Sequence, residues 1–204
     1  MLHLIKIEWM KLRAYRTFWI VGGLYFLTLG FGAASGMEFL KWLANTFEDF
    51  GSSLNINRIP LYHFPDVWLN LIWCAGLLKI ILGIMVVISV TNEFTYRTIR
   101  QNIIDGLDRH EFLLSKVYMN VLFSLTSVVM LFVIGLVTGL IYSSDITLNK
   151  IVTDLEFFPA YFLELFFFLS YALMIGILIQ RSGLTIILLM LSQAIEGIVT
   201  LNLD

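Results

Sequence analysis

The sequence predicts an all-α, polytopic membrane protein, and two observations carry that prediction. The first is composition. Of 204 residues, 59% are hydrophobic and only 14% charged, with a mean hydropathy of +0.87; a soluble globular chain carries about 25% charged residues. The second is that the apolar residues gather in five long runs, each close to the ~20 residues a helix needs to cross a bilayer. In lipid a spanning backbone must satisfy its own hydrogen bonds, and runs of this length do so as helices. The net charge of −2 decides little, because orientation follows from where the charges lie.

The elements follow in order along a single domain, 1–204. Residues 1–16 form an interfacial segment, in which Trp9, Lys6, Lys11, Arg13 and Arg16 suit the anionic inner surface. The first span, 17–35, carries no charge. Its apolar stretch exceeds the ~7–15 residues of a cleaved signal peptide, so it is expected to remain as a helix. The second span, 67–91, is interrupted only by Lys79. A polar connection, 92–116, leads to the third span, 117–142, which is uncharged. The fourth, 157–180, contains Glu164, and the fifth, 184–203, contains Glu196. Only Arg181-Ser182-Gly183 separates these last two, which predicts a tight antiparallel hairpin. Trp19, Trp68, Tyr118, Tyr142 and Tyr161 fall near span ends, where amphipathic rings sit at headgroup level. Cys74, the single cysteine, reads as a small packing residue, since free cysteine is usually buried.

Basic residues set the orientation. Four precede the first span, four lie between the second and third, and Arg181 lies between the fourth and fifth. The opposite side has Lys41, Arg58 and Lys150. Lys and Arg concentrate on the cytoplasmic side, which predicts a cytoplasmic N-terminus in the inner membrane.

Charged groups inside a membrane are costly and mark function or specific pairing. Lys79 lies near the middle of its span, Glu164 and Glu196 fall at similar depth to each other, and the lysine stem is long enough to reach a carboxylate in their layer. Two readings are open: a structural ion pair locking helices together, or a polar lining for a transport path. Gly76 and Gly83 share the face of Lys79, which predicts that this face packs on protein.

The connection after the second span is longer than a turn requires. Asn92 can cap a helix start, Gly106 suits a helix end, and Asp108-Arg109-His110-Glu111 reads as a capping box for the next helix. At 100° per residue, Tyr96, Ile99 and Ile103 line one face, expected to lie against the protein's own helices and lipid. Phe94, Arg97, Thr98 and Gln101 line the other. Such a helix suits either the headgroup layer or a soluble partner. Glu93, at the membrane edge, can pair with a partner's basic residue or with the N-terminal basic segment.

Catalytic signatures are missing. There is no G-x-x-x-x-G-K-[ST] loop for nucleotide phosphates and no H-E-x-x-H. His3, His63 and His110 are scattered, and no basic, aromatic-interleaved stripe suggests nucleic acid.

Glu93-Phe94, Thr98 with Arg100, the turn Gly106-Leu107-Asp108-Arg109, Lys116, and Glu8-Trp9-Met10-Lys11-Leu12-Arg13 ahead of Thr17-Phe18-Trp19 form a pattern. It resembles the transmembrane permease subunit of a type-2 (ABC-2-like) ABC exporter. That resemblance implies a chain working with a separate ABC ATP-binding subunit and a second permease subunit, identical or related. It implies that 93–104 is a coupling helix, with Glu93, Phe94, Arg97, Thr98, Arg100, Gln101, Gly106 and Arg109 serving the contact. It places ATP and Mg in the partner, no cofactor in this chain, and no enzymatic step here. Asp108 stands where Ser or Thr is commoner, though all three cap helices. The family usually has six spans against five here, which implies a short form, an incomplete chain or a further helix not recognised. The alternative is a small ion-coupled carrier or channel using Lys79, Glu164 and Glu196. The cargo has no signature.

Overall fold

A computed structural model describes residues 8–11, 13, 15–46, 62–96, 98, 108–143 and 147–203, and among these the chain is helical with no strand. The helices are α1 (Arg16–Thr46), α2 (Val67–Thr95), α3 (Arg109–Tyr142), the short α4 (Leu148–Val152), α5 (Phe157–Ile179) and α6 (Ser182–Leu203). Four stretches are long and apolar enough to cross a membrane: Val67–Thr95, His110–Tyr142, Asn149–Ile179 and Ser182–Val199. The expected first span lies inside α1, which runs for 31 residues. The protein is a polytopic helical membrane protein.

Both helices that flank the polar connection outrun their apolar spans. No Gly or Pro lies between Ile88 and Thr95, so nothing stops α2 where hydrophobicity falls. Asn92 is therefore an interior helical residue and not a cap, and the Tyr96 N–H donates to its carbonyl at 2.9 Å. At the far end α3 begins at Arg109. The Asp108 N–H donates to Glu111 Oε2 at 3.3 Å, one arm of the expected capping box, and the Phe112 N–H donates to the Asp108 carbonyl at 3.0 Å. The turn between α5 and α6 comes slightly earlier than expected. Gln180 takes the left-handed conformation, φ 58°, and its N–H closes α5 on the Gly176 carbonyl at 3.0 Å. Gly183 falls inside α6.

The chain divides into two compact units. One comprises Met1–Tyr25, Leu78–Leu125 and Leu163–Asp204; the other comprises Phe26–Leu77 and Thr126–Phe162. The second unit is organised by aromatic rings. Trp68 is fully buried, stacks on Phe132 at 5.6 Å between centroids and meets Phe158 edge-on at 5.4 Å. Its indole N–H donates to the Ile151 carbonyl at 3.0 Å. A Cβ on Gly135 would overlap the Trp68 ring, and one on Gly139 the Phe64 ring. The small-xxx-small spacing of α3 thus seats aromatic side chains. Tyr161 is also buried, its hydroxyl 3.0 Å from Ser127 Oγ. Trp68 and Tyr161 are core residues, contrary to the expectation of headgroup anchors, because each finds an internal partner for its polar atom. Trp19 is exposed, its indole N–H donating to the Arg13 carbonyl at 3.1 Å. Cys74 is exposed, a correction to its expected packing role: in α2 it points outward, where lipid is the solvent.

In the first unit, Gly83 is where α2 receives α5 and α6. A Cβ there would come within 2.8 Å of both Phe168 and Leu189, so the lysine-bearing face does pack on protein. Leu82, Met85, Val86, Leu165, Leu169 and Leu189 are buried around it. The remaining surface of α6 carries exposed Leu184, Ile187, Leu188, Leu191, Ile195 and Ile198, the apolar exterior that lipid solvates.

Candidate functional site

Two charged clusters stand out, both within the first unit. The first is built from the hairpin. Glu164 and Glu196 stand equally far on either side of Gln180 in the sequence. At about 1.5 Å per residue, two antiparallel helices bring both carboxylates to one level, and Lys79 of α2 meets them there. Its Nζ donates to Glu164 Oε1 at 2.8 Å and to Glu196 Oε1 at 2.9 Å. It also lies 5.2 Å from the centroid of Phe168, a cation–π contact. Burial is uneven: the lysine side chain is 6% exposed, those of Glu164 and Glu196 45% and 50%. One ammonium faces two carboxylates, so with all three ionised the cluster carries one net negative charge.

The second cluster lies where the polar connection is attached. Lys116 of α3 donates to Glu8 Oε2 at 2.6 Å and to Glu93 Oε1 near the end of α2. Ser115 Oγ donates to Glu8 Oε1 at 3.3 Å. Lys11 approaches Glu8 at 3.4 Å and Glu93 at 4.0 Å. Glu8, Glu93 and Lys116 are each at most 4% exposed, so these are desolvated pairs, strong only while every member has its partner. Glu93 Oε2 and the Asn120 amide nitrogen, one turn along α3, are buried without a hydrogen-bond partner among the described residues. Glu8, Ser89, Lys116 and Asn120 line a small cavity of about 10 Å³, roughly the room one water needs.

The sequence-predicted residues fare differently. Lys79, Glu164 and Glu196 come together. Glu93 is buried and engaged within its own chain by Lys116, with Lys11 of the N-terminal segment 4.0 Å away, the second of the two pairings expected for it. Phe94 is half-buried in the last turn of α2, and Thr98 donates to the Glu93 carbonyl at 3.3 Å. Tyr96, expected to face the protein's own helices and lipid, is exposed. Arg97, Ile99, Arg100, Gln101, Ile103 and Gly106 lie outside the described residues, as does the Arg109 side chain. Glu8 and Lys116 form the centre of the second cluster, yet the sequence presents them only as parts of a pattern. The available signal was an acid and a base at opposite ends of one polar connection, each the last charge before an apolar span. Among the described residues no group of His, Cys, Asp and Glu could hold a metal ion.

A helical membrane protein with two buried lysines, each shared by two carboxylates, is the class these features define. Residues 47–203 match the family model described as "Protein of unknown function (DUF2705)", and the chain belongs to that family. The matched region contains Lys79, Glu93, Lys116, Glu164 and Glu196, and stops short of Glu8. Neither a search of curated proteins nor one of solved structures returned a match.

Proposed function

We propose that this chain is the permease subunit of an ATP-driven exporter of the inner membrane, its N-terminus cytoplasmic, working with a separate ATP-binding subunit and a second permease subunit. The observation that carries this reading is the connection between α2 and α3. Both helices leave their apolar spans as continuous helix, to Thr95 and from Arg109, so the connection whose sequence contains Arg97 and Arg100 is entered and left through helical stems. A flexible anchor loop needs no such stems. A segment that receives motion from a soluble subunit does, because helices transmit displacement that a loop absorbs. The likeness of the Glu93–Lys116 region to exporter permeases supports the same reading.

The test is Arg97→Glu with Arg100→Glu, in the full chain co-expressed with the ATP-binding subunit that this reading requires. Loss of a desolvated interfacial charge pair costs about 2–5 kcal/mol, so co-purification drops below detection, or ATP hydrolysis continues without export. Membrane levels stay unchanged. An intact complex that still transports sinks the proposal.

One observation favours a second reading. The half-exposed carboxylates beside Lys79 suit a small ion-coupled carrier. That reading expects transport in the absence of any ATPase and its loss in Glu164→Gln or Glu196→Gln.

A further inference from the structure

We infer that Lys116 is the positioning residue of the α2–α3 connection: with Glu8 and Glu93 it clamps both stems and the N-terminal segment into one unit. The inference rests on the proposed coupling role of that connection for its functional meaning, and on geometry for its mechanics. Glu93 stands two residues before the end of α2, and Lys116 stands in the second turn of α3. Their ion pair therefore closes the connection at its base. Glu8 accepts from the same ammonium at 2.6 Å and from Ser115 at 3.3 Å, so the N-terminal segment is tied at the same point. Lys11, partly exposed, bridges the outer side of both carboxylates.

The arrangement is interdependent. Two buried carboxylates share one buried ammonium, and desolvated charges left without a partner are strongly unfavourable. The contacts therefore form or break together, and the three chain segments move as one body or come apart. The role requires charge and reach at position 116, and arginine supplies both with more donors in a fork. Methionine supplies the volume without the charge.

Spin labels at Met10→Cys and His110→Cys, both exposed positions, on a Cys74→Ser background, read the distance between the N-terminal segment and the start of α3 by pulsed electron resonance in the purified full chain. The native cluster gives one narrow distance. Lys116→Met widens the distribution at least twofold, and Lys116→Arg keeps it narrow. If Lys116→Met fails to fold, Glu8→Gln is read instead; it keeps the size of Glu8 and removes its charge, and widening is again expected. A narrow distribution in the folded Lys116→Met protein, or failing that in Glu8→Gln, overturns the inference. The ratio of ATP hydrolysed to substrate exported, measured on the same variants with the ATP-binding subunit, separates it from the proposed function. Widening with an unchanged ratio leaves the clamp standing and removes its coupling role. Widening with a ratio raised severalfold, restored by Lys116→Arg, supports both.

Discussion

At the scale of single residues, Lys79 has the clearest consequences. It is the buried partner of two half-exposed carboxylates, so its replacement strands both. Breaking a fully buried pair costs about 3–5 kcal/mol; partial exposure of Glu164 and Glu196 screens theirs, and a loss nearer about 1–3 kcal/mol is expected for Lys79→Met. Adding Glu164→Gln and Glu196→Gln to that variant removes the stranded charges and recovers part of the loss, read as the melting temperature of the solubilised protein. If the triple variant melts no higher than Lys79→Met alone, the three do not act as a unit. The meeting of these residues was legible beforehand, because a charge within an apolar span has few places to go and helical rise fixes its depth. The cluster around Lys116 was less legible. Glu8, Glu93 and Lys116 lie at the edges of polar segments, where a charged residue costs little and its partner cannot be read from depth.

At the scale of the element, glycine has opposite meanings in α3 and α6. Gly135 and Gly139 seat the rings of Trp68 and Phe64, and an added side chain must displace a packed aromatic. Gly135→Leu is expected to destabilise by about 1–3 kcal/mol, the usual cost of overpacking. Gly183 has nothing within 4 Å of its Cβ direction and lies in α6. Gly183→Ala is expected to be neutral or to stabilise by up to about 1 kcal/mol, the difference in helix propensity. Thermal melts of the two variants check the contrast, and similar losses in both would mean that α6 packs more closely than described. The sequence places all five long helices because lipid demands long apolar runs. It misjudges the end of α2, because hydrophobicity marks where a helix leaves the membrane and not where it stops, so α2 passes Asn92; the start of α3 is marked instead by the capping box at Asp108. It also misassigns Trp68, Tyr161 and Cys74. Whether a residue in an apolar run faces lipid or core depends on its neighbours in space, and in a membrane both faces are apolar.

At the scale of the whole molecule, the remaining question is which side of the membrane each connection occupies. The contact of Glu8 with Lys116, and of Lys116 with Glu93, requires that the N-terminal segment and both ends of the α2–α3 connection lie on one side. If each long helix crosses once, the proposed topology puts the turn at Gln180 and Arg181 on that same side and Lys150 on the other. The division of basic residues expected from the sequence has the same form, nine on the side of the N-terminus against Lys41, Arg58 and Lys150. Lys and Arg favour the cytoplasmic side, which gives the proposed orientation its sign. Single cysteines placed at Arg181 and at Lys150, on the Cys74→Ser background, are expected to respond oppositely to a membrane-impermeant thiol reagent on intact cells: Lys150→Cys labelled, Arg181→Cys protected until the membrane is opened. The reverse pattern would invert the protein while keeping every internal contact. Labelling of both from outside would mean that α5 does not cross, and the reading of Glu164 and Glu196 as brought to Lys79 by a spanning hairpin would fall with it.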